Sequence, residues 1–154
     1  MSLTKPITIY YVHSRNYQQA FNYVAHQLTG FKYDTITYKN DHWYGINTVD
    51  PSCIAWFDQP ELTDIFYTSL LYLIDDKYHV LKTAYGNTLN YYTTVYITSS
   101  LDLEELFCSE PSELINSLKT KINMIHIFNN TRVPPLPVLE HKYKDHKKNV
   151  VVKD

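Results

Sequence analysis

Asp58 and Glu61 carry the plainest chemical signal in the chain. They follow the apolar run Cys53-Ile54-Ala55-Trp56-Phe57 and enclose Gln59 and the helix-breaking Pro60. Four successive apolar side chains read as a strand buried on both faces, as in a parallel sheet. An Asp at the C-terminal lip of such a strand stands where open α/β folds place their chemistry. Asp58 is therefore the one weak candidate for a metal ligand, and Glu61 a candidate base. The plainer reading makes Asp58 a strand-end acid that caps the next helix or hydrogen-bonds near it. His13 and Arg15 follow the first apolar run and are candidates for an anion, against the plainer reading of solvated loop residues. Cys53 and Cys108 lack the CxxC or Cys/His spacing of a zinc site or a disulfide framework, and Cys108 has no identifiable His partner for a nucleophile. Two reduced thiols fit an intracellular protein.

The elements that must position these residues follow in order. Ile7 to Val12 is β-branched and aromatic, a strand by composition. Ser14 or Asn16 then caps a helix whose apolar positions Ala20, Phe21, Val24, Ala25 and Leu28 recur at helical spacing, with Gly30 as its stop. Tyr33 to Tyr38 reads as a second strand and Asp41 to Asp50 as loop. After the central strand, Leu62 to Asp75 fits a helix face. Tyr78 to Thr83 is a short strand, with a turn or hairpin around Gly86-Asn87. Val95 to Thr98 is another strand. Helices follow over 101–107 and 112–119, the second capped by Ser112, and Ile122 to Phe128 is the last strand. Strands alternating with helices predict an α/β domain with a mostly parallel sheet covered on both faces. The domain is expected over 1–130, with a Pro-containing, Lys-rich flexible tail over 131–154.

Charge and composition narrow the function classes. Residues 1 to 131 hold 8 Lys+Arg against 13 Asp+Glu, and residues 132 to 154 hold 6 against 3. An acidic body argues against broad phosphate-backbone binding, which leaves Lys142, Lys144, Lys147 and Lys148 of the tail as nucleic-acid candidates. The 15 Tyr residues offer stacking platforms for single strands, although core and strand positions account for most of them more simply. Pro134-Pro135-Leu136-Pro137 has the form WW-type domains accept, with a plain linker as the simpler alternative. Asn129-Asn130-Thr131 matches a glycosylation sequon that means little without a signal peptide. No apolar run approaches the roughly 18 residues a membrane span needs. With only 3 glycines, all isolated, a Gly-x-Gly-x-x-Gly dinucleotide site is excluded.

The order of segments resembles a known family. Asp41-His42-Trp43-Tyr44-Gly45, followed after a gap by Ile54-Ala55-Trp56-Phe57-Asp58, is similar to the Trp-Trp-Asp-Gly-Tyr segment and acidic strand of superfamily 3 helicases. These are the ATPase domains of replication-initiator (Rep) proteins of circoviruses, nanoviruses and related plasmids. The similarity continues through Leu70 to Asp76 and Val95 to Ser100, and closes with Leu118 to Ile122 and His126 to Asn129, so it spans about residues 7 to 129. It implies a P-loop NTPase-like three-layer sandwich with a mostly parallel five-stranded central sheet. Its active members use ATP and magnesium.

The departures from the family pattern fall on the phosphate-handling positions. The P-loop Gly-x-x-x-x-Gly-Lys-Ser/Thr would lie on Val12 to Gln19, where both glycines are missing and Gln18 and Gln19 replace the Lys and the hydroxyl. The glycines let backbone amides cradle phosphates, and the Lys pairs with the terminal ones. Asp58 matches the magnesium Asp, but Gln59 stands for the second acid and Ser100 for the sensor Asn. The DNA-contacting hairpin aligns with Ala84-Tyr85-Gly86, with Lys82 near. Lys119 and Lys121 fall in the arginine-finger region and lack the planar fork of Arg. A finger is worth roughly 10³–10⁵ in rate. The resemblance thus implies a catalytically degenerate domain without cofactor. Such a domain would act on a protein partner (a replication initiator or a host protein) or on single-stranded nucleic acid, as a candidate oligomer. The alternative is an active nucleic-acid-dependent NTPase or helicase rebuilt around Asp58, Glu61, Lys82 and Lys121.

Overall fold

The structure, a computed structural model, describes residues 3–128 and the strand Asn149–Lys153. It is an α/β domain built on a nine-stranded mixed sheet. The strands are β1 (Thr8–His13), β2 (Asp34–Lys39), β3 (His42–Tyr44), β4 (Ile54–Asp58), β5 (Val80–Thr83), β6 (Gly86–Leu89), β7 (Thr94–Ser99), β8 (Asn123–Phe128) and β9 (Asn149–Lys153). The helices are α1 (Tyr17–Gln27), α2 (Tyr67–Ile74), α3 (Leu103–Leu106) and α4 (Ser112–Lys119). The strand order is β6-β5-β3-β2-β4-β7-β1-β8-β9, and the neighbours from β2 to β9 in that order run parallel. Two antiparallel pairs, β2 with β3 and β5 with β6, extend the far edge. The expectation of five strands is therefore too small on both sides.

Two buried clusters occupy the two faces of the sheet, as the period of two in a strand requires. Tyr10, Val12, Trp56, Tyr96, Ile125 and Ile127 meet Ala20, Tyr23, Val24 and Leu28 of the α1 segment. Ile9, Tyr11, Ala55, Phe57, Val95, Ile97 and Met124 meet Leu70, Leu73 and Ile74 of α2, Leu103 of α3, and Ile115 and Leu118 of α4. Burial of a side chain such as Phe57, wholly inside, contributes about 1.5–3 kcal/mol. β2 shows the other regime: Asp34, Ile36 and Tyr38 point inward and Thr35, Thr37 and Lys39 outward, so only one of its faces is covered.

Several local expectations are corrected. The stretch 41–50 contains β3, joined to β2 through Asn40 (φ 52) and Asp41 (φ 62), the two left-handed positions of a tight hairpin turn. Gly45, just beyond β3, has φ +91, and a Cβ there would lie 2.0 Å from the Thr35 carbonyl oxygen, so no side chain fits. No helix starts at Leu62. A 3-10 turn over Pro60–Leu62 ends at Thr63, whose hydroxyl donates to the Pro60 carbonyl at 2.7 Å and accepts from the Ile65 amide at 3.3 Å. That local closure competes with the helix and delays α2 to Tyr67. α4 is preceded by Pro111 rather than capped by Ser112, because the Pro111 carbonyl takes the first helical amide bonds. The tail expected over 131–154 includes β9, where Val150-Val151-Val152 supplies the β-branched run that adds to the β8 edge.

Candidate functional site

The C-terminal ends of β4, β7, β1 and β8 form one edge, and the register lines up its residues. Asp58 pairs with Thr98, Ser99 with His13, and His13 with His126. Alternation divides them between faces. Asp58 and Thr98 continue the Trp56 and Tyr96 side, against α1, while Ser99, His13 and His126 continue the Ile97, Tyr11 and Met124 side, against α3 and α4.

On the α1 side, Asp58 is the acceptor at the end of a chain of donors. The Trp56 indole Nε1 donates to Thr98 Oγ1 at 2.9 Å, and Thr98 Oγ1 donates to Asp58 Oδ1 at 2.5 Å. Tyr17, the first residue of α1, brings its phenol to 2.5 Å from both Asp58 oxygens. Burial, reinforced by the bond to the Asp58 carboxylate, holds the Tyr17 phenol above its ordinary range, so it remains a donor across accessible pH. Asp58 is thus a strand-end acid that hydrogen-bonds beside the next element rather than capping it. The sequence offered no signal for Tyr17, whose type is common in this chain. Thr98 was visible only as a residue of the β7 run.

Gln59 then turns the chain. Its backbone lies in the left-handed region (φ 55, ψ 61), and its amide donates to the Thr98 carbonyl at 2.8 Å. The following 3-10 turn carries Glu61 to the opposite side of the edge. Ser99 Oγ donates to Glu61 Oε1 at 2.7 Å, while the Ser100 amide and hydroxyl donate to Oε2 at 3.0 and 2.9 Å. Glu61 thereby ties the Pro60–Leu62 turn to the end of β7, and Ser100 is one of its anchors. With both oxygens engaged by donors, Glu61 is arranged as a structural acceptor.

The loop between β1 and α1 is short and filled. Only Ser14, Arg15 and Asn16 separate β1 from α1. The Ser14 amide extends the ladder to the Ser99 carbonyl at 3.2 Å, and its hydroxyl is fully buried without a hydrogen-bond partner. Exposed Arg15 places Nη1 2.8 and 3.0 Å from the two Glu105 oxygens and 3.2 Å from the Ser100 carbonyl. Asn16 precedes α1 without a side-chain cap bond. Gln18 faces solvent and donates to Asn22 at 2.9 Å, and Gln19 is half-buried in the first turn.

Beside this loop His13 and His126 meet. Their Nδ1 atoms lie 3.1 Å apart and the rings cross at 83°. They border a cleft of about 490 Å³ that Arg15, Asn16, Ile127 and Phe128 complete. Burial presses both imidazoles below their ordinary range, helped by Arg15 at His13 and by His13 at His126. His126 is a site residue that the sequence reading did not single out, although its place at the end of a strand parallel to β1 was available from the pattern.

The remaining candidates are dispersed. Lys119 is held by Glu104 of α3. Lys121 precedes β8, at the opposite end of the sheet from Asp58, and lies 3.1 Å from Asp75, which also takes the His79 Nε2 at 2.7 Å. Lys82 and the fully exposed Tyr85 belong to the β5–β6 hairpin at the far edge. Lys142, Lys144, Lys147, Lys148, the Pro134–Pro137 stretch and the sequon over 129–131 lie outside the described residues. Among the described residues no group of three or more His, Cys, Asp or Glu side chains is arranged to hold a metal ion, and no helix is long and apolar enough to cross a membrane.

No protein-family model matches this chain, and a search of curated proteins finds no significant match.

Proposed function

We propose that this chain is a catalytically degenerate Rep-type superfamily 3 helicase-like domain, with the P-loop NTPase arrangement of its layers. It acts by binding, as a structural or regulatory partner in nucleic-acid replication or against a host protein. The observation that carries the reading is the Tyr17 phenol seated on both oxygens of Asp58. A carboxylate that must hold a hydrated divalent cation needs those oxygens free, and here a neutral donor from the helix start takes them together with Thr98. The residues at this edge therefore do not fit a magnesium-bound triphosphate. Ser14 and Arg15 bring side chains where a phosphate cradle needs bare backbone, and Gln18 supplies no cation. Further support comes from the layout: parallel strands, a strand–loop–helix start, and an acidic strand whose end lies on the same edge as that loop, separated from β1 by β7 alone.

Titration calorimetry with magnesium and ATP tests the reading. The expected outcome is no binding heat up to about 1 mM nucleotide, a Kd weaker than roughly −4 kcal/mol would give. Micromolar binding abolished by Gln18→Ala would overturn it. Phosphate release stimulated by single-stranded nucleic acid and lost in Asp58→Asn would instead favour an active NTPase.

A further inference from the structure

We propose that His13 and His126 form an acid-sensitive latch across the β1–β8 seam, which holds the two strands together at neutral pH and releases β8 when the pair takes up its second proton. The inference rests on the contact between the two rings and is independent of the proposed function.

The two residues are register partners on adjacent parallel strands, and their rings meet through the same atom, Nδ1, at 3.1 Å. A bond between two Nδ1 atoms requires one protonated and one bare nitrogen, so one ring donates and the other accepts. His13 is nine-tenths buried and its Nε2 has no hydrogen-bond partner, whereas His126 is only partly buried and borders the cleft. A first proton is accommodated on His126, the less buried ring, while His126 Nδ1–H donates to His13. The second must take the bare Nδ1 of His13, which places N–H against N–H and two cations in contact.

The surrounding charges relieve that state only in part: Asp102 favours protonation of both rings, Glu105 that of His13 and Glu104 that of His126, yet burial and the nearby cations outweigh them. Arg15 stands beside His13 from the β1–α1 loop, and Lys119 faces His126 from α4. The acids nearby all belong to α3 and each is already engaged: Asp102 in the capping box with Glu105, Glu105 also with Arg15, and Glu104 with Lys119. The folded state thus favours neutral rings, as the lowered pKa of each also indicates. Because the opened or unfolded chain binds more protons below the ordinary imidazole pKa of about 6.5, stability contributed by the pair is present above that value and is lost as pH falls below it. β9 pairs with β8 on its far side, so release of β8 frees both strands from β1.

Two measurements on the full chain test the latch: nitrogen–proton imidazole spectra, and amide exchange corrected for its intrinsic pH dependence, both from pH 8 to 5. The expected result is complementary tautomers at neutral pH and two coupled titration steps, the second with a loss of β8 protection approaching tenfold per pH unit while β4 stays protected. His126→Gln should remove the second step and flatten the β8 dependence. Two independent titrations near pH 6.5, or β8 protection that does not follow the second step, would overturn the proposal from wild-type data alone, whether or not the variant folds.

Discussion

The two halves of the strand-end edge are built in opposite ways. Around Asp58 and Glu61 every carboxylate oxygen has a donor: Tyr17 and Thr98 for the first acid, Ser99 and Ser100 for the second. One strand further on, beyond β7, the His13 Nε2 and the Ser14 hydroxyl are buried without partners. The two halves occupy adjacent register rows of one sheet, Asp58 with Thr98 and Ser99 with His13, so the strand backbone alone does not account for the difference. Side-chain choice does. Acids whose oxygens are all engaged have become part of the scaffold. The partnerless atoms mark the half that the rest of the fold holds in place, because a buried polar atom without a partner costs free energy that packing elsewhere must offset.

The largest effect expected from this contrast belongs to Asp58→Ala. It leaves the Tyr17 and Thr98 hydroxyls facing an empty acceptor position, and each orphaned donor of this kind costs about 1–3 kcal/mol, reduced where solvent reaches the half-buried Tyr17. A loss of about 3 kcal/mol is therefore expected, read as a lower urea midpoint at unchanged m-value. A loss under about 1 kcal/mol would separate Asp58 from the scaffold and return it to the class of residues kept for chemistry. Tyr17→Phe comes next. It removes one charge-assisted bond and keeps the ring contact with Phe21 at 6.1 Å, for an expected loss of about 1.5 kcal/mol. The two changes share one interaction, so in the double variant their effects should fall short of the sum by about 1 kcal/mol or more. Strict additivity would deny the contact its energetic role.

The sequence made this half of the edge partly visible. The parallel strands β1, β2, β4, β7 and β8 were legible because their β-branched and aromatic runs are dense, and α1 because Ala20, Val24 and Leu28 repeat at helical spacing. Asp58 was legible as an acid that ends an apolar run. Its partners were not. Tyr17 reaches it across 41 residues of sequence, and Thr98 across 40, through a strand order that composition does not encode. The late start of α2 was hidden for a different reason: the apolar period from Leu62 is genuine, but the Thr63 hydroxyl closes a turn before the helix can propagate. The capping box of α3 went unread, although the Asp102-x-x-Glu105 spacing lets both side chains reach back to orphan amides. β9 was masked by the Pro and Lys residues that precede it, which draw attention away from its three valines.

The other half of the edge should respond with the opposite sign. Ser14→Ala removes a hydroxyl that is buried and has no partner, and keeps nearly the same volume. The folded state loses no bond and gains relief from a desolvated polar group, so stability should rise by about 0.5–1 kcal/mol. The Ser14 amide bond to Ser99 is unaffected because it belongs to the backbone. A rise in the denaturation midpoint for Ser14→Ala beside a fall for Asp58→Ala would establish the contrast within one strand-end edge. A fall of about 1 kcal/mol in Ser14→Ala would mean that ordered water serves the hydroxyl, and the two halves would then differ only in whose oxygen does the satisfying.

Gln59 tests the seam between the halves, and its effect should be the smallest. Its φ of 55 places a residue with a side chain in the left-handed region, at a cost of about 1–2 kcal/mol relative to glycine. Gln59→Gly removes that strain, but it also frees the unfolded chain, which offsets about 0.5–1 kcal/mol of the gain. It further deletes the Gln59 amide that contacts the Tyr17 phenol. The net change should therefore be a gain of about 0.5 kcal/mol or less. Gln59→Asn separates the contributions, because Asn tolerates the left-handed region without the extra unfolded-state freedom of glycine. If Asn stabilises as much as glycine or more, backbone strain dominates at this corner. A clear loss in both variants would show instead that the Gln59 side chain belongs to the donor set around Tyr17 and Asp58, which would extend the saturated half to the turn itself.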